Sequence, residues 1–223
     1  LSHVHPFRSC GALPAASTNP AGRGEGRWQA AGRAPYFIPE GGSNAVGSAG
    51  YLAMVPELLA QADSLPVPPA RLVCTMGSLG TFAGLWLGAR AFGAPFSVTG
   101  VAVNPTTGYT REKAAALVNE MSAAYGLDIA AAPEDMDIIY ADAAHDYAGP
   151  GYNVPDAKTR GAVELLARTE GIFLDPCYTA KSFRGFCDIA RELDGGAIFV
   201  HTGGTPALWT QEHLDAFAAD YWN

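Results

Sequence analysis

Five short runs of this chain are β-branched or apolar with little polar alternation: LVCTM (72–76), SVTGVAV (97–103), MDIIYAD (136–142), IFLDP (172–176) and AIFVHTGG (197–204). A strand that is apolar on both of its faces is covered on both, which is the habit of parallel sheets. Helical patterns separate the runs, over Phe82–Ala91, Arg111–Tyr125, residues 157–171 and residues 181–196. Strand and helix thus alternate, and no internal repeat interrupts them. The pattern predicts an α/β fold: an open, mostly parallel sheet with helices on both faces, in three layers.

Ahead of the first run, residues 45–62 read as a helix with Val46, Tyr51, Met54, Leu58 and Leu59 roughly on one face. Pro56 weakens that helix locally, because proline removes an intrahelical donor. Residues 1–34, rich in Gly, Ala, Pro and Arg, have neither period and read as irregular chain. The ordered domain is therefore expected over residues 35–223. The 26 glycines and 16 prolines suit the many tight turns such a fold needs.

Charge excludes some partners. Fourteen Lys and Arg against 22 Asp and Glu leave a net charge of -8, with no basic cluster, so neither a nucleic-acid backbone nor an anionic membrane surface fits. No apolar run reaches the roughly 18–20 residues of a membrane span. Cys10, Cys74, Cys177 and Cys187 have no metal-site spacing, and no metal is expected. Buried thiols at Cys74 and Cys177 and a reducing, cytoplasmic setting follow as the default.

In open parallel sheets ligands bind at the carboxyl ends of the strands. Four loops fall there: GSLGT (77–81), the Asp142–Pro155 segment, DPCYTAK (175–181) and HTGG (201–204). GSLGT passes from strand to helix, where free amides and the positive end of the helix dipole attract an anion. Glycine lets backbone approach a ligand, and Ser78 and Thr81 add hydroxyls. It is neither a Walker loop nor GxGxxG. Two readings stand open for it: a phosphate cradle, or a plain turn with Ser or Thr as the helix cap.

Tyr152, in GPGYNVP, and Tyr178, just past a strand, can serve as acid, base or nucleophile if their pKa is lowered. The alternative is a packed ring with a bonded hydroxyl. Thr179 can cap the helix that follows, and His201 suits a structural hydrogen bond. His145 and Asp146 lack the Ser or Cys elbow of a hydrolase triad. Glu112, Asp128, Glu134, Asp135 and Glu164 read as a solvated surface.

The motifs IPEGGSNAVGSAGY, TMGSLGTFAGL, GPGYNVP, LDPCYTAKSFRG and IFVHTGGTPALW stand in the order seen in one family. From about Pro35 to about Trp209 the chain resembles the pyridoxal-phosphate-dependent D-cysteine desulfhydrase and 1-aminocyclopropane-1-carboxylate deaminase family, with the fold of the tryptophan synthase β subunit (fold type II). The resemblance implies that Ser78, Leu79, Gly80 and Thr81 cradle the phosphate of pyridoxal 5'-phosphate, with Gly77 shaping the turn. It places Thr179 beside the pyridine nitrogen and Tyr152 and Tyr178 before a small amino-acid substrate. Members commonly form homo-oligomers.

Ring-opening deaminases typically carry Glu after the second tyrosine. Thr179 therefore implies the desulfhydrase-like branch, which eliminates a β-substituent, although sulfo-lyases of cysteate look similar at these motifs. The family's Schiff-base lysine lies upstream of everything matched. None of Lys113, Lys158 and Lys181 falls in that motif. The expectation is the carboxyl-terminal part of such an enzyme, incomplete at its N-terminus and inactive alone, or else a module that binds cofactor without turnover.

Overall fold

The computed structural model of the chain describes Gly32, Tyr36 and residues 38–222. The irregular segment expected over 1–34, and so the domain boundary at 34, lies outside the described residues apart from Gly32. Four strands form one parallel sheet: β1 (Pro69–Met76), β2 (Ser97–Ala102), β3 (Ile138–Ile139) and β4 (Gly196–Val200), in the order β3-β2-β1-β4. Six α-helices accompany them in the described residues: α1 (Ala45–Ala62), α2 (Gly80–Ala91), α3 (Arg111–Ala124), α4 (Ala157–Glu170), α5 (Thr179–Glu192) and α6 (Gln211–Trp222).

The unalternating strands are explained by cover on both faces. Leu72, Cys74 and Met76 point with Val98 and Ala102 into a core shared with α1, α2 and α3. Val73 and Val101 point the other way, against Tyr147, Phe186, Ile189 and Phe199. Behind them α4 and α5 close a further core of Ala162, Val163, Leu174, Ala180, Phe183 and Leu208. The sheet thus lies between two helical layers, as the alternation of elements predicts.

Helices α1 and α2 meet more closely than ordinary side chains permit. A Cβ on Gly84 would lie 2.5 Å from the Ser48 carbonyl oxygen, and one on Gly88 2.7 Å from Val55 Cγ2. With Gly80, these glycines form a stripe at four-residue spacing along α2. The buried face of α1 is accordingly Ala45, Ser48, Leu52 and Val55. Of the expected face, Tyr51, Met54, Leu58 and Leu59 pack partly buried at the margin of this core, beside the tight contact rather than in it. Helix α1 runs through Pro56. The Leu52 carbonyl, which loses its i+4 donor there, would lie 2.9 Å from a Gly88 Cβ.

Two other expectations need correction. The run 136–142 pairs with β2 only at Ile138–Ile139, while Arg111 donates to the outward Met136 and Ile138 carbonyls at 2.9 and 2.8 Å. The run 172–176 is not a strand. Its Asp175 carboxylate takes the amides of Cys177, Tyr178 and Thr179 and turns the chain into α5, while Ile172 and Phe173 stay half exposed. Helix α6 lies past the last motif read. Cys74 and Cys177 are buried, and burial pushes the Cys74 thiol up to about 12. No helix among the described residues is long and apolar enough to cross a membrane.

Candidate active site

At the carboxyl ends of β1, β2 and β4 opens a cavity of about 860 Å³. All four expected loops reach it: Gly77, Ser78 and Thr81 from the first, Tyr152 from the second, Tyr178 from the third, and Thr202, Gly203 and Gly204 from the last. Two further segments join them without having been foreseen. Glu40 and Gly41 come from the turn before α1, and Val103 to Lys113 from the passage between β2 and α3.

The cradle at α2 is built from two places in the chain. Leu79 stands at the cap position of α2 with no capping side chain. Neither Ser78 nor Thr81 caps it; Ser43, 37 residues upstream, does so by accepting the Gly80 amide at 3.0 Å. A Cβ on Gly80 would press on Ser43 Oγ and Ser48 Oγ, each at 3.1 Å, and one on Gly41 would collide with the Ser78 hydroxyl. The amides of Ser78 and Leu79 and the hydroxyls of Ser78 and Thr81 have no hydrogen-bond partner among the described residues. Unpaired donors at the positive end of a twelve-residue helix fit a tetrahedral anion such as phosphate. The Leu79 side chain itself is buried in the core.

Across the cavity the hydroxyls of Tyr152 and Tyr178 meet, with ring centroids 5.7 Å apart at 73°. A Cβ on Gly77 would lie 3.3 Å from Tyr178 Cε1, so this glycine lets the ring lie against the cradle. Burial first, and the Tyr152 hydroxyl second, push the Tyr178 phenol above its ordinary pKa. The direction is opposite to the lowering that would favour a base; Tyr178 is held protonated.

Thr179 is fully buried and does not line the cavity. Its hydroxyl donates to Asp175 Oδ2 at 2.6 Å and accepts the Asp175 amide at 2.9 Å. Asp175 is itself wholly buried, and a Cβ on Gly204 would come within 2.7 Å of its carboxylate. Asp175, not Thr179 as expected, is the residue whose side chain caps α5. His201 has the structural place expected for it, with Nε2 donating to the Phe173 carbonyl and Nδ1 accepting the Gly203 amide. His145 pairs with Asp142 on the surface, away from the cavity.

The three lysines separate clearly. Lys158 pairs with Asp146 at 2.7 Å on the surface. Lys181 is fully buried on two backbone carbonyls. Lys113 lines the cavity and donates to the Gly108 carbonyl at 2.6 Å. Close by, burial and then a bond to Glu40 raise the Tyr109 phenol. Helical spacing alone hid Lys113, which stands in the first turn of α3 with its amide on the Thr110 cap and its Nζ turned back to Gly108. The segment GGSN before α1 carried the signal for Ser43, a glycine pair followed by a short hydroxyl. No group of three or more possible metal ligands occurs among the described residues.

Comparison with known proteins agrees with this geometry. Residues 10–203 match the family model described as pyridoxal-phosphate dependent enzyme. The D-cysteine desulfhydrase of Klebsiella pneumoniae is 38% identical over 187 residues, covering 82% of this chain and 54% of that protein. The D-cysteine desulfhydrase of Yersinia enterocolitica is 36% identical over the same shares. A crystal structure of a homologue of ACC deaminase superposes with a TM-score of 0.73 at 29% identity, covering 86% of this chain and 55% of the other. The chain thus spans about half the length of the relatives it matches.

Proposed function

The chain belongs to the family of pyridoxal-phosphate-dependent enzymes, and on that premise we propose that it holds the phosphate grip and tyrosine pair of a β-eliminating lyase of the D-cysteine desulfhydrase type. The observation that carries the proposal is the common cavity: unpaired donors at the head of α2 and two joined phenols face the same space. When bound, pyridoxal phosphate supplies an electron sink for the bond broken at the substrate's α-carbon.

In this reading the amides of Ser78 and Leu79 and the hydroxyls of Ser78 and Thr81 bind the phosphate. Gly80 has a steric part, since its amide goes to Ser43. Gly77 brings Tyr178 against the cofactor. Thr179 comes to the ring nitrogen by resemblance alone, since its side chain is buried outside the cavity with its hydroxyl donating to Asp175. Tyr178, held protonated by burial and by Tyr152, donates to the departing sulfur. Tyr152, more than half exposed, is placed to exchange that proton with solvent. Loss of the α-proton and of the β-thiolate from D-cysteine gives sulfide and 2-aminoacrylate, and water then hydrolyses the latter to ammonia and pyruvate. Residues 35–223 as the cofactor-binding domain, a cytoplasmic location and a homo-oligomer complete the proposal by resemblance.

Turnover needs a lysine that the matched region does not place in the cofactor motif, so the isolated chain should bind cofactor without reacting. Catalysis is tested in a chimera in which residues 38–209 replace the matching part of the Klebsiella pneumoniae protein. Pyruvate from D-cysteine supports the lyase. 2-Oxobutanoate from 1-aminocyclopropane-1-carboxylate would assign a deaminase instead. A folded, cofactor-loaded chimera that forms neither would leave only a binding module.

A further inference from the structure

The loop that presents Tyr152 contains little that could hold it. Tyr152 is 56% exposed, and its ring touches only Tyr178 among the aromatic side chains described. Its place must therefore come from its backbone. Beneath that backbone lies Lys181, with no exposed surface at all. Its Nζ donates to the Ala148 carbonyl and to the Gly151 carbonyl, each at 2.7 Å.

An ammonium is a costly group to bury, and a leucine or methionine would fill the same volume without that cost. What an apolar residue cannot do is join two carbonyls that lie three residues apart in another segment. Gly149, between them, turns the loop with φ 65°. The helix that carries Lys181 starts at Thr179, with Tyr178 at its cap position, so less than one turn of α5 separates the lysine from the second phenol. Lys181 thus links the loop of Tyr152 to the helix that sets Tyr178. A further tie holds the far side of the loop: His213 of α6, itself buried, bonds Asn153 Oδ1 at 3.2 Å.

We propose that Lys181 is a positioning residue, which by donating to the carbonyls of Ala148 and Gly151 fixes the distance between the Tyr152 and Tyr178 hydroxyls. Cys177, Asp156, Arg184 and Asp175 are the titratable groups around it, and burial lowers its own pKa. The proposal rests on the lyase reading only for the use of the two phenols, and its test does not need the cofactor.

The test uses the full chain with its tyrosines labelled at 13Cζ, the Tyr178 resonance being assigned by its loss in Y178F. Exchange of Tyr152 by Phe should move that resonance and bring the Tyr178 titration down towards an ordinary phenol, since a raising partner is gone. Lys181→Met should shift the Tyr178 titration in the same direction and by the same amount. The double variant K181M/Y152F should add nothing further, while the signals of Tyr51 and Tyr125, remote in the α1–α3 core, stay in place. A Lys181→Met chain in which Tyr178 titrates as in the wild type, while Y152F shifts it, would overturn the proposal. So would full additivity in the double variant. Should K181M not fold, Lys181→Gln keeps an uncharged donor in a similar volume; it should give a smaller shift of the same sign, and no shift in folded protein would again overturn the idea. A chain whose tyrosine pair responds as expected but which binds no pyridoxal phosphate would leave the positioning intact and defeat the cofactor reading.

Discussion

Exchange of Thr81 for valine probes the phosphate grip with little disturbance elsewhere. The side chains are nearly isosteric and close in helix propensity. The Thr81 hydroxyl has no hydrogen-bond partner among the described residues, so its loss breaks no bond among them. Stability should change by no more than about 0.5 kcal/mol, as for substitutions away from packed or bonded sites. Affinity is another matter. A hydrogen bond to a charged group contributes about 1.5–3 kcal/mol, and each 1.4 kcal/mol is tenfold in Kd. T81V should therefore weaken pyridoxal phosphate binding by roughly 10–100-fold. Ser78→Ala should act similarly, and the variant with both changes should retain weak binding through the amides of Ser78 and Leu79. The assay is calorimetric titration with pyridoxal phosphate and, in parallel, with pyridoxal, which lacks the phosphate. Pyridoxal should bind wild type and T81V alike. Unchanged phosphate-ester affinity in T81V, or an equal loss for both ligands, would refute the cradle.

Three other outcomes follow from the geometry. Gly84→Ala gains about 1 kcal/mol of helix propensity but forces a Cβ to 2.5 Å from the Ser48 carbonyl, an overpacking that costs about 1–3 kcal/mol; urea unfolding should show a lower midpoint, and a more stable variant would contradict the α1–α2 contact. Tyr147 is pushed up to about 12, by burial and by the Asp188 carboxylate that accepts its hydroxyl; because the folded state holds this proton more tightly, the stability it gives is present in full below the unfolded phenol's pKa near 10 and is lost as pH climbs from there through about 12. Thermal unfolding across that alkaline window should fall less steeply in Y147F, and identical slopes would be inconsistent with this. Finally, borohydride treatment of the chain with pyridoxal phosphate should leave Lys113 and Lys181 unmodified by peptide mass spectrometry, because Lys113 is held by Gly108 and Lys181 by two buried carbonyls; a modified Lys113 would show that it reaches the cofactor aldehyde.

The layers of the fold were legible because burial on both faces leaves a signature within each strand, as the opposed cores under Leu72 and Val73 show. GSLGT by itself left two readings open, an anion cradle or a plain turn capped by its own Ser or Thr, and the structure removes the second, since neither residue caps α2. What it could not disclose was the cap. Ser43 serves a helix 37 residues away, and no local pattern ties the two. IFLDP reads as a strand by composition, yet a single side chain, Asp175, draws three following amides and ends the extension. The face of α1 was read only in part: Tyr51, Met54, Leu58 and Leu59 do pack against the core, but the deepest contact, on the glycine stripe, goes to Ala45, Ser48, Leu52 and Val55. Tyr152 and Tyr178 were recognisable as neighbours of the site, but the direction of the Tyr178 shift depends on burial and on a partner 26 residues distant.

The most direct measurement is a crystal structure of this chain with pyridoxal phosphate. The account predicts phosphate oxygens within hydrogen-bond distance of the Ser78 and Leu79 amides and of Thr81 Oγ1, with the ring extending towards Tyr152 and Tyr178. A phosphate bound at any other place on the chain, or a ring turned away from the two phenols, would contradict it.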